Sequence, residues 1–301
     1  MKLTILGCNS ATPRINSNPT AQVLEINNHI FLIDCGEGTQ VELRRNKVKF
    51  NRIKHIFISH LHGDHYFGLI GLISTFRLLT RETELHIYSP KGLKELITLH
   101  MKLSSSWTNY QLIFHELTSK ESELIFEDDK VEVYTIPLDH RIYTNGFLFK
   151  EKPGERKLDV NAAVEADIDV AYYNKVKQGF DVVNNKGKLI KNETVTSDPI
   201  KPKSYAFCSD TAYNEEIVPI IKNTTVLYHE STFLEKHEQL TVPTKHSTAK
   251  QAASIAKKAG VGTLILGHYS TRYDDLNEFK TEAQSVFPKV ELAQDGKKFE
   301  F

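Results

Sequence analysis

The chain has 301 residues, in which 38 Lys and Arg balance 38 Asp and Glu, and its composition is 40% hydrophobic and 25% charged. This composition is typical of a globular protein, and the zero formal net charge gives nucleic acid no overall electrostatic attraction. The three cysteines are too few and too widely spaced for a disulfide framework, which favours a reducing, cytoplasmic setting. Residues 1–7 are too short an apolar stretch for a signal peptide, and no apolar run approaches the roughly 20 residues that span a bilayer, so we expect no membrane partner.

Strands and helices alternate through the first half of the chain. Apolar alternation and β-branched runs predict strands at residues 2–6, 21–26, 29–33, 53–58 and 84–89. Helical periodicity predicts helices at about 38–46, 66–79 and 91–103. Further strands are predicted near 110–117, 123–126, 131–136 and 142–149.

The alternation resumes after residue 203. We predict strands at 204–208, 225–229 and 262–267, helices at 214–221, 247–259 and 274–286, and then a final pair of strands. The helix 247–259 has a clear start at Ser247 or Thr248 and a clear stop at Gly260. Strands mixed with helices in both halves predict two packed sheets with helices outside.

The segment from about 150 to 203 differs from its surroundings. It is poor in large apolar residues, and seven lysines outnumber three acids between residues 172 and 203. A charge-rich loop is often solvated without a partner, whereas an insertion of this length inside a compact domain is often functional. The segment alone does not choose between these two interpretations.

Residues 60–65 place four potential metal ligands within six positions. They are His60, His62, Asp64 and His65. The preceding run, residues 53–58, predicts a buried strand that delivers them at its C-terminal end, and Gly63 is predicted to allow a sharp reversal. Neutral imidazole and carboxylate are good ligands for Zn²⁺ and similar divalent ions. A chance polar cluster is the alternative, but four such residues seldom share six positions without a metal.

Further ligand-type residues directly follow predicted strands. They are His140, Asp210, the pair His229-Glu230, and His268. Taken singly, each could be a polar residue at a strand end or a satisfied core histidine. As a set, they predict that several strands end in ligands at one rim of the sandwich. His246 differs because it precedes the helix 247–259, where it could donate a proton, contact a phosphate or be an exposed turn residue.

These motifs, in this order and over this length, resemble the short form of the ribonuclease Z family, the tRNA 3′-processing endonucleases of the metallo-β-lactamase superfamily. The segments that carry the resemblance are HxHxDH at 60–65, SDTAY at 209–213, HEST at 229–232, HST at 246–248 and GHYSTRY at 267–273. The first segment marks only the superfamily, whose members hydrolyse lactams, thioesters, sulfates and phosphodiesters. The segments around Asp210, Glu230 and His246 are far more specific to ribonuclease Z.

The resemblance implies one α+β domain over residues 1–301, a four-layer αββα metallo-β-lactamase sandwich with an inserted extended arm at about 150–200. It also implies two zinc ions per chain, although such a ligand set accepts Mn²⁺ as well. One ion would be held by His60, His62, His140 and Asp210. The other would be held by Asp64, His65, His268 and the bridging Asp210.

The resemblance further implies a chemical role for each group. A two-metal site suits phosphodiester hydrolysis, in which Asp64 would both ligate and accept the proton of the attacking water. His246, oriented by Glu230, would protonate the leaving ribose oxygen. In the family the arm projects from the body and grips the elbow of precursor tRNA, often across a homodimer. The lysines proposed to contact tRNA are Lys175, Lys177, Lys186 and Lys188.

Two other functions stay open at this point. A small-molecule hydrolase on the same scaffold, such as an arylsulfatase or a phosphodiesterase, would not need the basic arm. A tRNA-binding protein that had lost catalysis would not need all seven ligands together with Glu230 and His246. The arm weighs against the first alternative, and the complete ligand set weighs against the second.

Overall fold

The structure is a computed structural model that describes residues 1–12 and 14–301 of the chain. The described residues form two compact units, one made of Met1–Lys150 and Lys203–Phe301 and the other of Glu151–Pro202. None of the helices in these residues is both long enough and apolar enough to cross a membrane.

The strands are numbered in chain order. They are β1 (Lys2–Gly7), β2 (Ala21–Ile26), β3 (His29–Ile33), β4 (His55–Phe57), β5 (Leu85–Pro90), β6 (Leu112–Leu117), β7 (Leu124–Glu127), β8 (Val131–Pro137), β9 (Asn145–Glu151), β10 (Lys157–Leu158), β11 (Val182–Val183), β12 (Leu189–Ile190), β13 (Thr196–Ser197), β14 (Ser204–Cys208), β15 (Val226–Glu230), β16 (Thr263–Gly267), β17 (Val290–Leu292) and β18 (Lys298–Glu300).

The α-helices are numbered in the same way. They are α1 (Thr39–Arg45), α2 (Gly63–Leu78), α3 (Leu93–Leu103), α4 (Val160–Glu165), α5 (Tyr173–Lys177), α6 (Thr241–Thr244), α7 (Ala249–Ala259) and α8 (Asn277–Gln284). Short 3₁₀ helices lie at Phe50–Arg52, Val170–Tyr172, Asn192–Thr194, Glu215–Ile217 and Glu235–Leu240.

The larger unit contains two sheets, each of seven strands within the described residues. Their orders are β18-β1-β2-β3-β4-β5-β6 and β17-β16-β15-β14-β9-β8-β7. Strands β3 to β6 run parallel to one another, and so do β14 to β17. The two strands predicted at the end of the chain are present but lie in different sheets, since β17 adds to β16 in one sheet and β18 adds to β1 in the other.

The two sheets pack face to face through aromatic side chains. Phe31 and Phe57 of the first sheet lie 5.3 Å, centroid to centroid, from Phe149 and Phe147 of the second. Helices α1, α2 and α3 contribute buried residues to a separate core on the other face of the first sheet, while α7 and α8 pack on the second. The predicted arrangement of two packed sheets with helices on their outer faces is therefore confirmed.

Two local predictions differ from the structure. The helix expected at 214–221 is only the 3₁₀ turn Glu215–Ile217, because Pro219 has no backbone N–H and disfavours a continuing helix. Gly63 begins α2 and makes no reversal. A Cβ there would lie 2.1 Å from the exposed ring of Phe67, so that ring would have to move.

The smaller unit, which we call the arm, folds around a core of its own. It contains α4, α5 and two antiparallel strand pairs, β10 with β13 and β11 with β12. The residues of this core are Ala163, Ile168, Val176, Val182 and Val195. These small and β-branched side chains are why the segment looked poor in large apolar residues while still forming packed structure.

Candidate metal centre

The ligand loop joins β4 to α2. His60 follows the strand, His62 is the N-cap of α2, and Asp64 and His65 lie in the first turn of the helix. The side chains of His60, Asp64 and His65 are buried. Other ligand-type residues follow parallel strands of the second sheet, whose carboxyl ends meet at one edge of that sheet. Asp210 follows β14, and His268 follows β16.

The first group of converging side chains consists of three imidazoles and one carboxylate. Nδ1 of His62 lies 3.0 Å from Nε2 of His60 and 3.2 Å from Nε2 of His140. Oδ2 of Asp210 lies 3.5 Å from Nε2 of His60 and 3.8 Å from Nε2 of His140. All four ligand atoms therefore lie within 4.8 Å of one another.

The second group shares Asp210 with the first. Its Oδ1 atom lies 3.4 Å from Nε2 of His65 and 3.1 Å from Nε2 of His268. Oδ2 of Asp64 lies 3.3 Å and 3.5 Å from the same two nitrogens. Because Asp210 presents one oxygen to each group, it is the residue that could bridge two ions.

The pairing of these atoms tests whether a divalent cation fits the site. Nε2 of His65 and Nε2 of His268 are buried and have no hydrogen-bond partner among the described residues, although carboxylate oxygens of Asp64 and Asp210 lie 3.1–3.5 Å away. The atoms therefore approach one another without hydrogen-bond alignment. A buried polar atom without a partner is costly, and a cation between these donors would satisfy them all. The donor set fits a divalent metal.

Asp34 orients the ligand His65 and was not predicted from the sequence. Its fully buried carboxylate accepts hydrogen bonds from the Ser59 backbone N (2.7 Å), the Ser59 Oγ (2.8 Å) and Nδ1 of His65 (2.7 Å). Bonding Nδ1 in this way leaves Nε2 of His65 free to face the metal site. Asp34 has φ +54°, a left-handed conformation that non-glycine residues adopt rarely. The sequence feature that could have pointed to Asp34 is its position directly after the predicted strand 29–33.

Two other ligands are also oriented through Nδ1. Nδ1 of His140 donates to the backbone oxygen of Lys245 at 2.9 Å, and Nδ1 of His268 lies 2.9 Å from Oγ1 of Thr232. His268 and Lys245 have φ +59° and +56°. The backbone N of His268 donates to the oxygen of Cys8 at 2.7 Å, which helps hold this conformation. Sequence reasoning could not find Lys245, because it acts through its backbone.

The buried Glu230 and the partly buried His246 form a pair beside the proposed metal ligands. Nδ1 of His246 lies 2.8 Å from Oε1 of Glu230, and the Glu230 carboxylate also accepts from backbone N–H groups. These donors are Thr211 N, Ser247 N and Thr232 N. Burial alone lowers the pKa of His246, but the charge and hydrogen bond of Glu230 outweigh it and raise that pKa to about 9. With its oxygens saturated by donors, Glu230 is better placed to polarise His246 than to bind a metal.

A pocket of about 570 Å³ exposes this chemistry to solvent. Asp64, Asp210 and His246 line it together with Arg141 and Arg272. Neither guanidinium has a carboxylate partner in residues 1–12 and 14–301, so both can offer charge to an anionic substrate. The pocket combines cations, metal ligands and a protonated imidazole, which suits attack on a phosphate ester.

The four lysines predicted to contact RNA lie in the arm. Lys175 and Lys177 are on α5, while Lys186 and Lys188 lie between β11 and β12. Lys175, Lys186 and Lys188 are exposed, and Lys177 is half-buried. Nζ of Lys186 lies 3.7 Å from Asp167, whereas the other three have no carboxylate partner among the described residues.

Comparison with curated proteins finds relatives along almost the whole chain. A protein of Bacteroides fragilis named Ribonuclease Z is 45% identical over 295 residues, covering 98% of this chain and 97% of that protein. A second Ribonuclease Z, from Cytophaga hutchinsonii, is 46% identical over 300 residues, covering 99% and 95%. The chain belongs to the ribonuclease Z family.

Solved structures agree with this membership. Human tRNase Z, short form, superposes with a TM-score of 0.73 at 26% identity, covering 100% of this chain and 99% of that one. A family model described as Anti-Pycsar protein Apyc1 matches residues 1–152, so this half also belongs to that group. The matched half contains the loop 60–65 and His140, whereas Asp210, Glu230 and His268 lie beyond it. The ribonuclease Z relatives cover both halves.

Proposed function

We propose that the chain is an endoribonuclease that removes 3′ trailers from tRNA precursors, with two zinc ions held by the seven ligands of the metal centre. The observation that supports this most strongly is Asp210, shared by two ligand groups beside one pocket, in a chain whose relatives are ribonuclease Z over nearly their whole length. Mn²⁺ suits the same donors. A small-molecule phosphodiesterase or arylsulfatase is not favoured, because the likeness to ribonuclease Z includes the arm.

The reaction is attack of water on phosphorus with departure of the ribose 3′ oxygen. Bound divalent ions lower the pKa of the attacking water and stabilise charge on the phosphoryl oxygens. Burial alone raises the pKa of Asp64, but His65 and His268 outweigh it and hold that pKa below its usual range. Asp64 is therefore ionised, which suits a metal ligand, and its proposed role as proton acceptor depends on the bound ions lowering the pKa of the attacking water.

His246 supplies the proton for the leaving oxygen. Its Nδ1 is bonded to Glu230, so Nε2 is the atom left for the substrate, and its pKa of about 9 keeps the ring protonated at neutral pH. Transfer of this proton to the departing oxygen leaves a 3′-hydroxyl on the tRNA and a 5′-phosphate on the trailer.

The arm is the proposed contact for the body of the tRNA. Its exposed lysines can pair with RNA phosphates, which suits recognition of a folded RNA by shape. We also propose a homodimer, since Leu96, Leu99 and Leu103 give α3 an apolar face that is 45–77% exposed. The three buried, unpaired thiols Cys8, Cys35 and Cys208 suit the reducing environment of a cytoplasmic location.

The central experiment compares two substrates with one protein preparation. A 3′-extended tRNA transcript should be cut at the 3′ boundary, and cleavage should disappear with a chelator and return with zinc. Bis-p-nitrophenyl phosphate serves as the small ester. Hydrolysis of this ester with an untouched tRNA would overturn the proposal in favour of a small-molecule phosphodiesterase.

The arm is tested by charge reversal. Lys175→Glu combined with Lys188→Glu should raise KM for the tRNA and reduce the salt dependence of binding by about one unit of slope per lysine, while sparing the small ester. The matched control is Lys49→Glu with Lys289→Glu, which changes the net charge equally at exposed positions of the larger unit. Equal effects of the two pairs would mean that only the overall charge matters.

A further inference from the structure

Thr232 lies between a metal ligand and the proton-donating pair. Its Oγ1 atom is 2.9 Å from Nδ1 of His268 and 2.8 Å from Oε2 of Glu230. The three side chains are almost completely buried, with relative exposures of 4% for Thr232, 1% for His268 and 0% for Glu230. Because the three side chains are so deeply buried, the hydrogens between them must be placed so that each donor faces an acceptor of the same group.

The hydroxyl has one hydrogen to donate, and the partners decide its direction. Both oxygens of the Glu230 carboxylate already accept from backbone N–H groups, Oε1 from Ser247 N and Oε2 from Thr232 N, so the hydrogen of Thr232 Oγ1 belongs to Oε2. The lone pairs of Oγ1 then face His268, which makes Nδ1 of His268 a donor. The opposite direction would set a hydroxyl lone pair against a carboxylate oxygen at 2.8 Å.

This assignment fixes the tautomer of His268. With the proton on Nδ1, the Nε2 atom carries a lone pair and faces Asp210 Oδ1 at 3.1 Å and Asp64 Oδ2 at 3.5 Å. Nε2 has no hydrogen-bond partner in the part of the chain that the structure describes. A metal ligand requires this arrangement, in which the lone pair of the nitrogen faces the other ligands across the position of the ion.

The other oxygen of Glu230 serves His246. Oε1 accepts from Nδ1 of His246 at 2.8 Å, while Oε2 accepts from the hydroxyl of Thr232 and also from its backbone N at 2.8 Å. One carboxylate therefore joins the ring of the proton donor to the ring of a metal ligand through a single hydroxyl.

We infer that Thr232 is a positioning residue that holds His268 in its metal-binding tautomer and couples the second metal site to the Glu230–His246 pair. This inference rests on the proposed function, because it takes His268 as a ligand. Thr232 itself contacts neither the metal nor the reacting atoms in this role. Its contribution is the hydroxyl, so serine can replace it and valine cannot.

The first experiment measures metal affinity without any substrate. Zn²⁺ is titrated against a chromophoric chelator with the wild type, Thr232→Val and Thr232→Ser. We expect Thr232→Val to weaken one of two ions about 10–100-fold, as for loss of a ligand-orienting hydrogen bond, and Thr232→Ser to bind as the wild type does. The matched control is Ser231→Ala, because the buried hydroxyl of Ser231 donates to the backbone oxygen of Gly267 and not to Glu230.

A second measurement reads the hydrogen bond at Nδ1 directly. With ¹⁵N-labelled histidine in the zinc-loaded protein, the Nδ1–H of His268 should exchange slowly with solvent in the wild type and in Thr232→Ser, and faster in Thr232→Val. Wild-type zinc affinity together with unchanged exchange of this hydrogen in Thr232→Val would overturn the inference. A protein that passes both tests but leaves tRNA uncut would instead contradict the proposed function.

Discussion

Two histidine clusters lie towards opposite ends of the parallel strands of the first sheet. The metal centre begins beyond the carboxyl end of β4. The second cluster consists of His29, His55 and His86, which lie at the amino ends of β3, β4 and β5, and of His115 on β6. We call these four the histidine row. The rings of His55, His86 and His115 stack in series, with centroids 4.9 Å apart for His55 and His86 and 5.2 Å for His86 and His115, while the ring of His29 stacks on Phe31.

The clusters differ in where their nitrogens find partners. In the row, His29 pairs with Asp128 at 2.7 Å, and Nδ1 of His86 lies 2.9 Å from Nε2 of His115. Nδ1 of His55 is buried without a partner among the described residues, and none of the carboxylates found there is shared between two rings of the row. In the metal centre, Nδ1 of His65 bonds to protein and leaves Nε2 facing shared carboxylates. Among the described residues, groups of three or more converging ligands occur only around the metal centre. Orientation by a second partner, not the number of histidines, makes a metal site.

Removing the shared carboxylate should produce the largest difference between the clusters. Asp210→Ala takes one ligand from each group, so both ions should be lost and the rate of tRNA cleavage should fall by at least about 10³-fold, since metal stabilisation is worth several kcal/mol. Metal content by mass spectrometry and cleavage of a 3′-extended tRNA measure the effect.

The control for this change lies in the row. Asp128→Ala removes the carboxylate that pairs with His29 and should leave both metal content and cleavage as in the wild type. If Asp128→Ala lost metal as Asp210→Ala does, the distinction between the clusters would fail.

The next effect separates metal binding from proton donation. His246→Ala should keep both ions but cut tRNA about 10²–10⁴-fold more slowly, the usual contribution of a general acid. The loss should be smaller for a substrate whose leaving group needs no proton, such as bis-p-nitrophenyl phosphate. Release of an ion from His246→Ala would show instead that this histidine supports the metal site.

A smaller effect should follow from changing only the orientation of a ligand. Asp34→Asn keeps the shape of the side chain but removes the charge that holds His65, so zinc affinity should fall about 10–100-fold. Isothermal titration with zinc measures this change. Asp128→Asn is the equivalent change in the row and should leave zinc affinity unaltered.

Much of the sandwich could be predicted from the sequence, because most strands carry strong local patterns. The boundaries 21–26, 29–33 and 204–208 match the structure, and Thr248 forms the capping box at the start of α7. The grouping of ligands was also accessible, since side chains that follow parallel strands meet at one edge. The partner of β18 was not accessible, because pairing across almost 300 residues leaves no local signal.

The residues that orient the ligands were harder to predict. Asp34 and Thr232 look like ordinary polar residues in the sequence, and Lys245 contributes only a backbone oxygen. The stacking in the histidine row depends on the register of β4 with β5 and of β5 with β6. Such features arise from tertiary contacts, which a single sequence does not reveal.

The last prediction concerns stability and applies to the row alone. Burial, followed by the charges of His86, His29, His115 and Lys54, lowers the pKa of His55 to about 3 in the folded chain, against 6.5 for an ordinary histidine. The unfolded chain therefore binds more protons between these values, so stability rises with pH there and falls on acidification below 6.5. When the pH falls from 7 to 5, His55 should therefore lower the free energy of unfolding by about 2 kcal/mol.

His55→Phe should remove this cost, because phenylalanine does not titrate and the site is already lined by the ring of Phe126, 4.6 Å away. Urea unfolding at pH 7 and pH 5, with chelator present so that metal release contributes nothing, should show a pH-dependent loss about 2 kcal/mol smaller than in the wild type. His100→Phe, at an exposed position on α3, is the control and should keep the wild-type dependence. If the unfolding free energy of both variants fell equally between pH 7 and pH 5, groups other than His55 would cause the loss. The row would then differ from the metal centre in geometry but not in protonation.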